Sequence, residues 1–142
     1  MIVPDVNLLL YAHDDAMPEH ERAKRWWEGV VNGEQTIGMP WAVLMGFVRI
    51  VTHPSVLSTP LPPAEALSYL RAWLDLPGVR LLDPGPRHLQ ILEELFRAVQ
   101  VAGSLTTDAH LAALAIEHQA ELHSNDADFA RFPGLRWHNP LA

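Results

Sequence analysis

The chain has 142 residues, no cysteine, and 17 acidic against 10 basic side chains, for a formal charge of −7 with histidine neutral. These numbers exclude disulfides, thiol nucleophiles and cysteine-held zinc or iron–sulfur sites, and they argue against a broad basic surface for nucleic acid. With 49% apolar and 19% charged residues, the chain is too apolar for disorder and long enough to bury a core unaided, so one domain over residues 1–142 is expected.

Ile2-Val3 is a short β-branched start that runs into Asp5, and Val6–His13 reads as one or two apolar helical turns. Asp14, Asp15 and Pro18 mark a loop. Residues 19–31 place Ala23, Trp26, Trp27, Val30 and Val31 near helical spacing, and Asn32-Gly33 ends that helix. Trp26 and Trp27 are adjacent, so they cannot both enter one core; one of them is expected at a partner surface. Residues 35–38 suit a short strand. Pro40 sits at a helix start, and Trp41–Val51 is strongly apolar. Four prolines make 52–63 a loop. A helix over 64–74, a turn at Pro77-Gly78 and a strand at Val79–Leu82 follow. The chain then gives helices over 86–99 and 106–118, a strand at 121–124, a helical turn at 126–132 and a last strand at 135–137. Short strands alternating with longer helices predict an α/β fold: a short, mostly parallel central sheet flanked by α-helices. The first residues carry no basic region and no long apolar run, so no secretory leader is expected. No apolar stretch approaches the ~20 residues of a membrane span, and a soluble, cytoplasmic protein is the expectation.

Sites in parallel sheets form at the carboxyl ends of strands, which directs attention to Asp5, Asp108 and Asp126. Three carboxylates in one cleft repel one another unless a cation lies among them. Mg²⁺, or Mn²⁺, suits such oxygen ligands and a phosphate substrate. Each residue also has a plainer use. Asp5 fits a helix cap; Asp108 favours a helix N-terminus, with Thr106 or Thr107 as the cap; Asp126 and Asp128 fit a turn. Asn7 can orient Asp5 or bond to a helix end. Thr107 can support the site, and Arg49 and Thr52 can meet phosphate or bond within the chain. Nine of the ten basic residues are Arg, whose fork suits phosphate. The eight histidines show no H-E-x-x-H pattern, and His110 and His118 are two helical turns apart, so a histidine-held ion is not expected.

The strings Pro4-Asp5-Val6-Asn7-Leu8-Leu9-Leu10-Tyr11-Ala12, Thr107-Asp108-Ala109-His110-Leu111-Ala112 and Ser124-Asn125-Asp126-Ala127-Asp128-Phe129 resemble, in order and spacing, the motifs of PIN-domain ribonucleases. The ending, with Asn139-Pro140-Leu141, resembles the small VapC toxins of type II toxin–antitoxin modules. One departure stands out: PIN domains usually carry an acidic residue on the helix after the second strand, and here Gly46 occupies that place, with no Asp or Glu between Gln35 and Pro63.

The resemblance implies a Mg²⁺-dependent endoribonuclease that cleaves structured RNA such as tRNA or rRNA. It implies a homodimer and a cognate VapB-type antitoxin. Asp5, Asp108 and Asp126 would be the catalytic and metal residues, with Asn7, Thr107, Asp128 and Arg49 supporting them or binding substrate. Without the acidic helix residue, a single cation held by Asp5 and Asp108 with help from Asp126 is the reading. The alternatives are a PIN-like scaffold that has lost activity and only binds partners, and a haloacid-dehalogenase-like phosphatase. The phosphatase would need a second Asp where Asn7 stands and a downstream Lys, for which Lys24 is the sole lysine.

Overall fold

The computed structural model describes residues 1–100 and 102–142. Five strands, β1 Ile2–Pro4, β2 Ile37–Pro40, β3 Val79–Leu82, β4 Glu121–His123 and β5 Arg136–His138, form one sheet in the order β3-β2-β1-β4-β5. Every pairing is parallel. The helices are α1 Val6–His13, α2 His20–Val31, α3 Trp41–Val51, α4 Pro63–Leu74, α5 His88–Ala98 and α6 Leu105–Glu117, with a 3₁₀ turn at Ala127–Arg131. The expected α/β class and parallel sheet are what is found.

The central strand β1 is buried along its whole length and pairs with β4 through Ile2–Glu121, Val3–Leu122 and Pro4–His123. From β1 the chain first builds outward through β2 to β3, then returns to lay β4 and β5 on the other side. The strand order therefore reverses between β1 and β4, and their carboxyl ends border the crevice where such sheets bind ligands. Helices α1 to α4 pack on one another and α5 packs on α6, two groups that right-handed crossovers place on opposite faces. The Ala-rich stretch of α6 is explained by its depth: of the seven positions from Ala109 to Ala115, all but His110 are buried, so small side chains let the helix lie close to the sheet.

Several boundaries shift by a residue or two from the sequence reading, and three of the shifts have a physical reason. β2 lies two residues later than 35–38, because Ile37 to Pro40 pair in register with Val79 to Leu82. Pro40 thus ends the strand and serves as the residue before α3. Helix α6 starts at Leu105, so neither Thr106 nor Thr107 is its cap; turns from Ala102 and Gly103 (φ 58°) bring the chain into helical bonding early. Ser124 has already left β4. Trp26 and Trp27 resolve their adjacency by serving two clusters within the chain: Trp26 packs beside Leu8, Ala23 and Leu141, and Trp27 packs against the main core and Trp73. Among the described residues, no helix is long and apolar enough to cross a membrane.

Candidate functional site

Asp5 sits at the carboxyl end of β1 and precedes α1. Its Oδ1 accepts from the Val6 backbone N–H at 2.7 Å, so it is the helix cap. Its Oδ2 accepts from the Ser124 hydroxyl at 2.7 Å, across the β1–β4 crevice. The capping use of Asp5 is therefore observed, and its second oxygen is held by Ser124. Burial pushes the Asp5 carboxyl above its usual range and the charge of Asp126 adds to this, while the bonds from Ser124 and Val6 act the other way.

Ser124 is fully buried and links several of the candidates. Its Oγ accepts from the Asp126 N–H at 3.0 Å and from Asn7 Nδ2 at 3.3 Å while donating to Asp5. Asn7 thus acts on Asp5 through Ser124. The Ser124 carbonyl accepts from Trp137 Nε1 at 3.0 Å. Sequence reasoning missed this serine; the available signal was a polar residue at the end of an apolar strand, directly ahead of Asn125-Asp126.

The carboxylates converge. Asp108, in the first turn of α6, has an oxygen within 4.8 Å of oxygens of both Asp126 and Asp128, which in turn lie within that distance of each other. Asp126 also caps the 3₁₀ turn by accepting from Asp128 N at 2.9 Å. Burial and the charges of Asp5, Asp126 and Asp128 push the Asp108 carboxyl up to about 6. Asp128, given a supporting part in the sequence reading, lies in this close trio with Asp108 and Asp126, whereas Asp5 lies outside it and its charge helps to raise the Asp108 carboxyl. Among the described residues, no other group of three or more potential ligands comes together.

The donor set fits a hard divalent cation. It consists of carboxylate oxygens alone, without imidazole or thiolate, and its mutual repulsion is the feature that a bound cation would relieve. The histidines are used elsewhere: His110 pairs with His88 at 2.9 Å and His118 bonds to the Asp83 carbonyl at 2.8 Å. Gly46 faces Val6, the residue after Asp5; a Cβ built there would stand 3.6 Å from the valine side chain. The position lacking an acidic group thus borders α1 at the site. Thr107 is exposed in the first turn of α6. Arg49 is exposed on α3, while Thr52 donates to the Val48 carbonyl at 2.7 Å, the within-chain use. Lys24, which a phosphatase would need among the carboxylates, instead lines a groove with His13, Trp27, Glu28, Tyr69 and Trp73.

The PIN domain family profile matches residues 2–135. Ribonuclease VapC33 of Mycobacterium tuberculosis is 52% identical over 141 residues, covering 99% of each chain. Ribonuclease VapC37 of the same organism is 39% identical over 142 residues, covering all of this chain and 99% of the relative. Among solved structures, the VapBC2 complex from Rickettsia felis, bound to a promoter DNA fragment, aligns with a TM-score of 0.72 at 22% identity over 98% of both chains. Mycobacterium tuberculosis VapC20, a toxin that cleaves the sarcin–ricin loop, aligns with a TM-score of 0.68 at 18% identity over 96% and 99%. At those identities the structural likeness carries the fold.

Proposed function

The chain belongs to the PIN-domain family and, within it, to the VapC ribonucleases, and from that premise we propose a Mg²⁺-dependent endoribonuclease toxin that cleaves structured RNA, tRNA or rRNA. The observation that carries the reading is the meeting of Asp108, Asp126 and Asp128 at the β1–β4 crevice, beside Asp5. Asp108, Asp126 and Asp128 would hold the cation, Mg²⁺ or Mn²⁺, with Asp5 contributing its charge and remaining lone pairs. Gly46 supplies no ligand, so a single cation is the proposal. When bound, the cation supplies Lewis-acid chemistry: it offsets the phosphodiester's charge and makes water a better nucleophile.

The chain's own groups do the rest. Ser124 and Val6 fix the Asp5 carboxylate in one orientation, and Asn7 holds Ser124. Without the cation, burial and the neighbouring carboxylates push Asp108 up to about 6; the bound cation would offset that repulsion and keep Asp108 ionised as a ligand. Thr107 and Arg49, both exposed, are assigned to the RNA backbone, where Arg offers paired donors to phosphate. The net negative charge favours contact guided by shape and a few Arg side chains over general affinity for RNA. A VapB-type antitoxin is supported by the toxin–antitoxin complexes among the structural neighbours; a homodimer and a cytoplasmic setting belong to the same proposal.

The test is cleavage of tRNA and rRNA by the purified protein with Mg²⁺ or with chelator, for wild type, Asp108→Asn and Asp126→Asn. Cleavage that requires Mg²⁺ and is lost in both folded variants is expected. Cleavage indifferent to chelator, or retained by both variants, overturns the reading.

A further inference from the structure

We infer that Asn139, in the short strap that follows β5, is a positioning residue for the turn that presents Asp126 and Asp128. The inference rests on the metal-dependent cleavage proposed above. Both ends of the Asn139 amide are used. Its Nδ2 donates to Asn125 Oδ1 at 3.1 Å, and its Oδ1 accepts from the Leu141 N–H at 3.0 Å. The first bond reaches into the carboxylate turn, because Asn125 lies between Ser124 and Asp126. The second shapes the strap so that Leu141 is buried beside Leu8 and Ala23. Arg22 closes the anchor by donating to the Leu141 carbonyl at 2.7 Å. Leu8 follows Asn7, whose Oδ1 faces the Asn125 N–H at 3.5 Å. The turn is therefore held from two directions, by α1 through Asn7 and by the anchored strap through Asn139. Ser124, at its start, is also held by Asp5, Asn7 and Trp137; beyond it, Asp126 N bonds to Ser124 Oγ and Asp128 N to Asp126 Oδ1. A turn of this length has few internal restraints on where its carboxylates point, and the strap supplies an external one. Outer-shell bonds of this kind typically govern metal affinity by 10- to 100-fold.

The experiment measures Mn²⁺ binding by calorimetry, and RNA cleavage against Mn²⁺ concentration, on the full chain. The proteins are wild type, Asn139→Ala, Asn125→Ala and the double variant, each checked for folding by circular dichroism. About a tenfold weaker Mn²⁺ affinity is expected in each single variant, with cleavage restored at saturating Mn²⁺. The double variant is expected to lose no more than either single one, because both remove the same bond. Unchanged affinity in folded Asn139→Ala, or losses that add in the double variant, overturns the inference while wild-type cleavage keeps the functional reading. If Asn139→Ala does not fold, Asn125→Ala tests the bond from its other end. A wild type that neither binds Mn²⁺ nor cleaves RNA overturns the functional reading, and the inference falls with it.

Discussion

The hydroxyl of Ser124 meets Oδ2 of Asp5 at 2.7 Å, joining residues 119 positions apart in the chain. The bond spans the one place where the strand order reverses, and it fixes a carboxylate that burial would otherwise disfavour as an anion. Ser124→Ala removes the donor and leaves a buried oxygen of Asp5 without that partner. A stability loss of about 1–3 kcal/mol is expected, read by thermal melting. The acid limb of the cleavage profile should also move to higher pH, because the Asp5 carboxyl loses a bond that lowers its pKa.

Asp108 gives the apo protein a pH dependence of definite sign. Its carboxyl is pushed from 3.8 up to about 6, so the folded state holds the proton more tightly than the unfolded chain. Between those values the folded state binds more protons, and stability falls as pH rises. In chelator, the melting temperature is expected to decline across that window. Asp108→Asn should flatten the decline and melt higher than wild type at neutral pH, while failing to cleave RNA. A wild-type melting curve that is level across the window contradicts this.

Mg²⁺ or Mn²⁺ should stabilise the protein by mass action. At 100 times the dissociation constant the gain is about 2.7 kcal/mol, visible as a melting shift that chelator reverses. Asp126→Asn, which removes one member of the close trio, should shrink the shift at the same ion concentration.

Trp26 Nε1 donates to His123 Nδ1 at 2.9 Å, leaving His123 Nε2 to donate to Glu121 at 2.7 Å. Trp26→Phe keeps the ring but strands a buried imidazole nitrogen, at an expected cost of about 1–3 kcal/mol by urea unfolding. Burial holds the His123 pKa below 6.5. Its contribution is complete above that value and is lost as pH falls below it, since the unfolded chain then takes up the proton first.

Gly46→Ala should be tolerated. The added carbon would meet Val6 at 3.6 Å, an ordinary contact, and alanine in mid-helix is favoured by about 0.5–1 kcal/mol. A higher melting point with Mn²⁺ affinity unchanged is the expected result by calorimetry.

What could be read ahead of the structure was what the chain encodes locally. The alternation of strands and helices, the placing of Asp5 after β1 and the placing of Asp108 in the first turn of α6 each depend on neighbouring residues. The closeness of Asp128 to Asp108 and Asp126 was hidden, because a 3₁₀ turn and a helical turn differ by a rotation that spacing does not report. Ser124 and Asn139 were hidden for another reason. Their roles lie in hydrogen bonds to residues far away in sequence, and a lone serine or asparagine carries no periodic signal of such a partner. The cap expected at Thr106 or Thr107 failed because the turn through Gly103 starts the helix before either threonine.

The neighbouring positions of β1 and β4 have a consequence for biosynthesis. A ribosome makes Asp5 early and Ser124, Asp126 and Asp128 much later, and the strand that must insert beside β1 is the fourth of five. Until then the emerging polypeptide holds Asp5 at the end of a strand that β2 borders on one side only. Chains released early by stalling or nonsense would lack the carboxylate cluster altogether. The wiring of the sheet therefore delays the hazard: the proposed centre cannot assemble until β4 and the turn after it have been made.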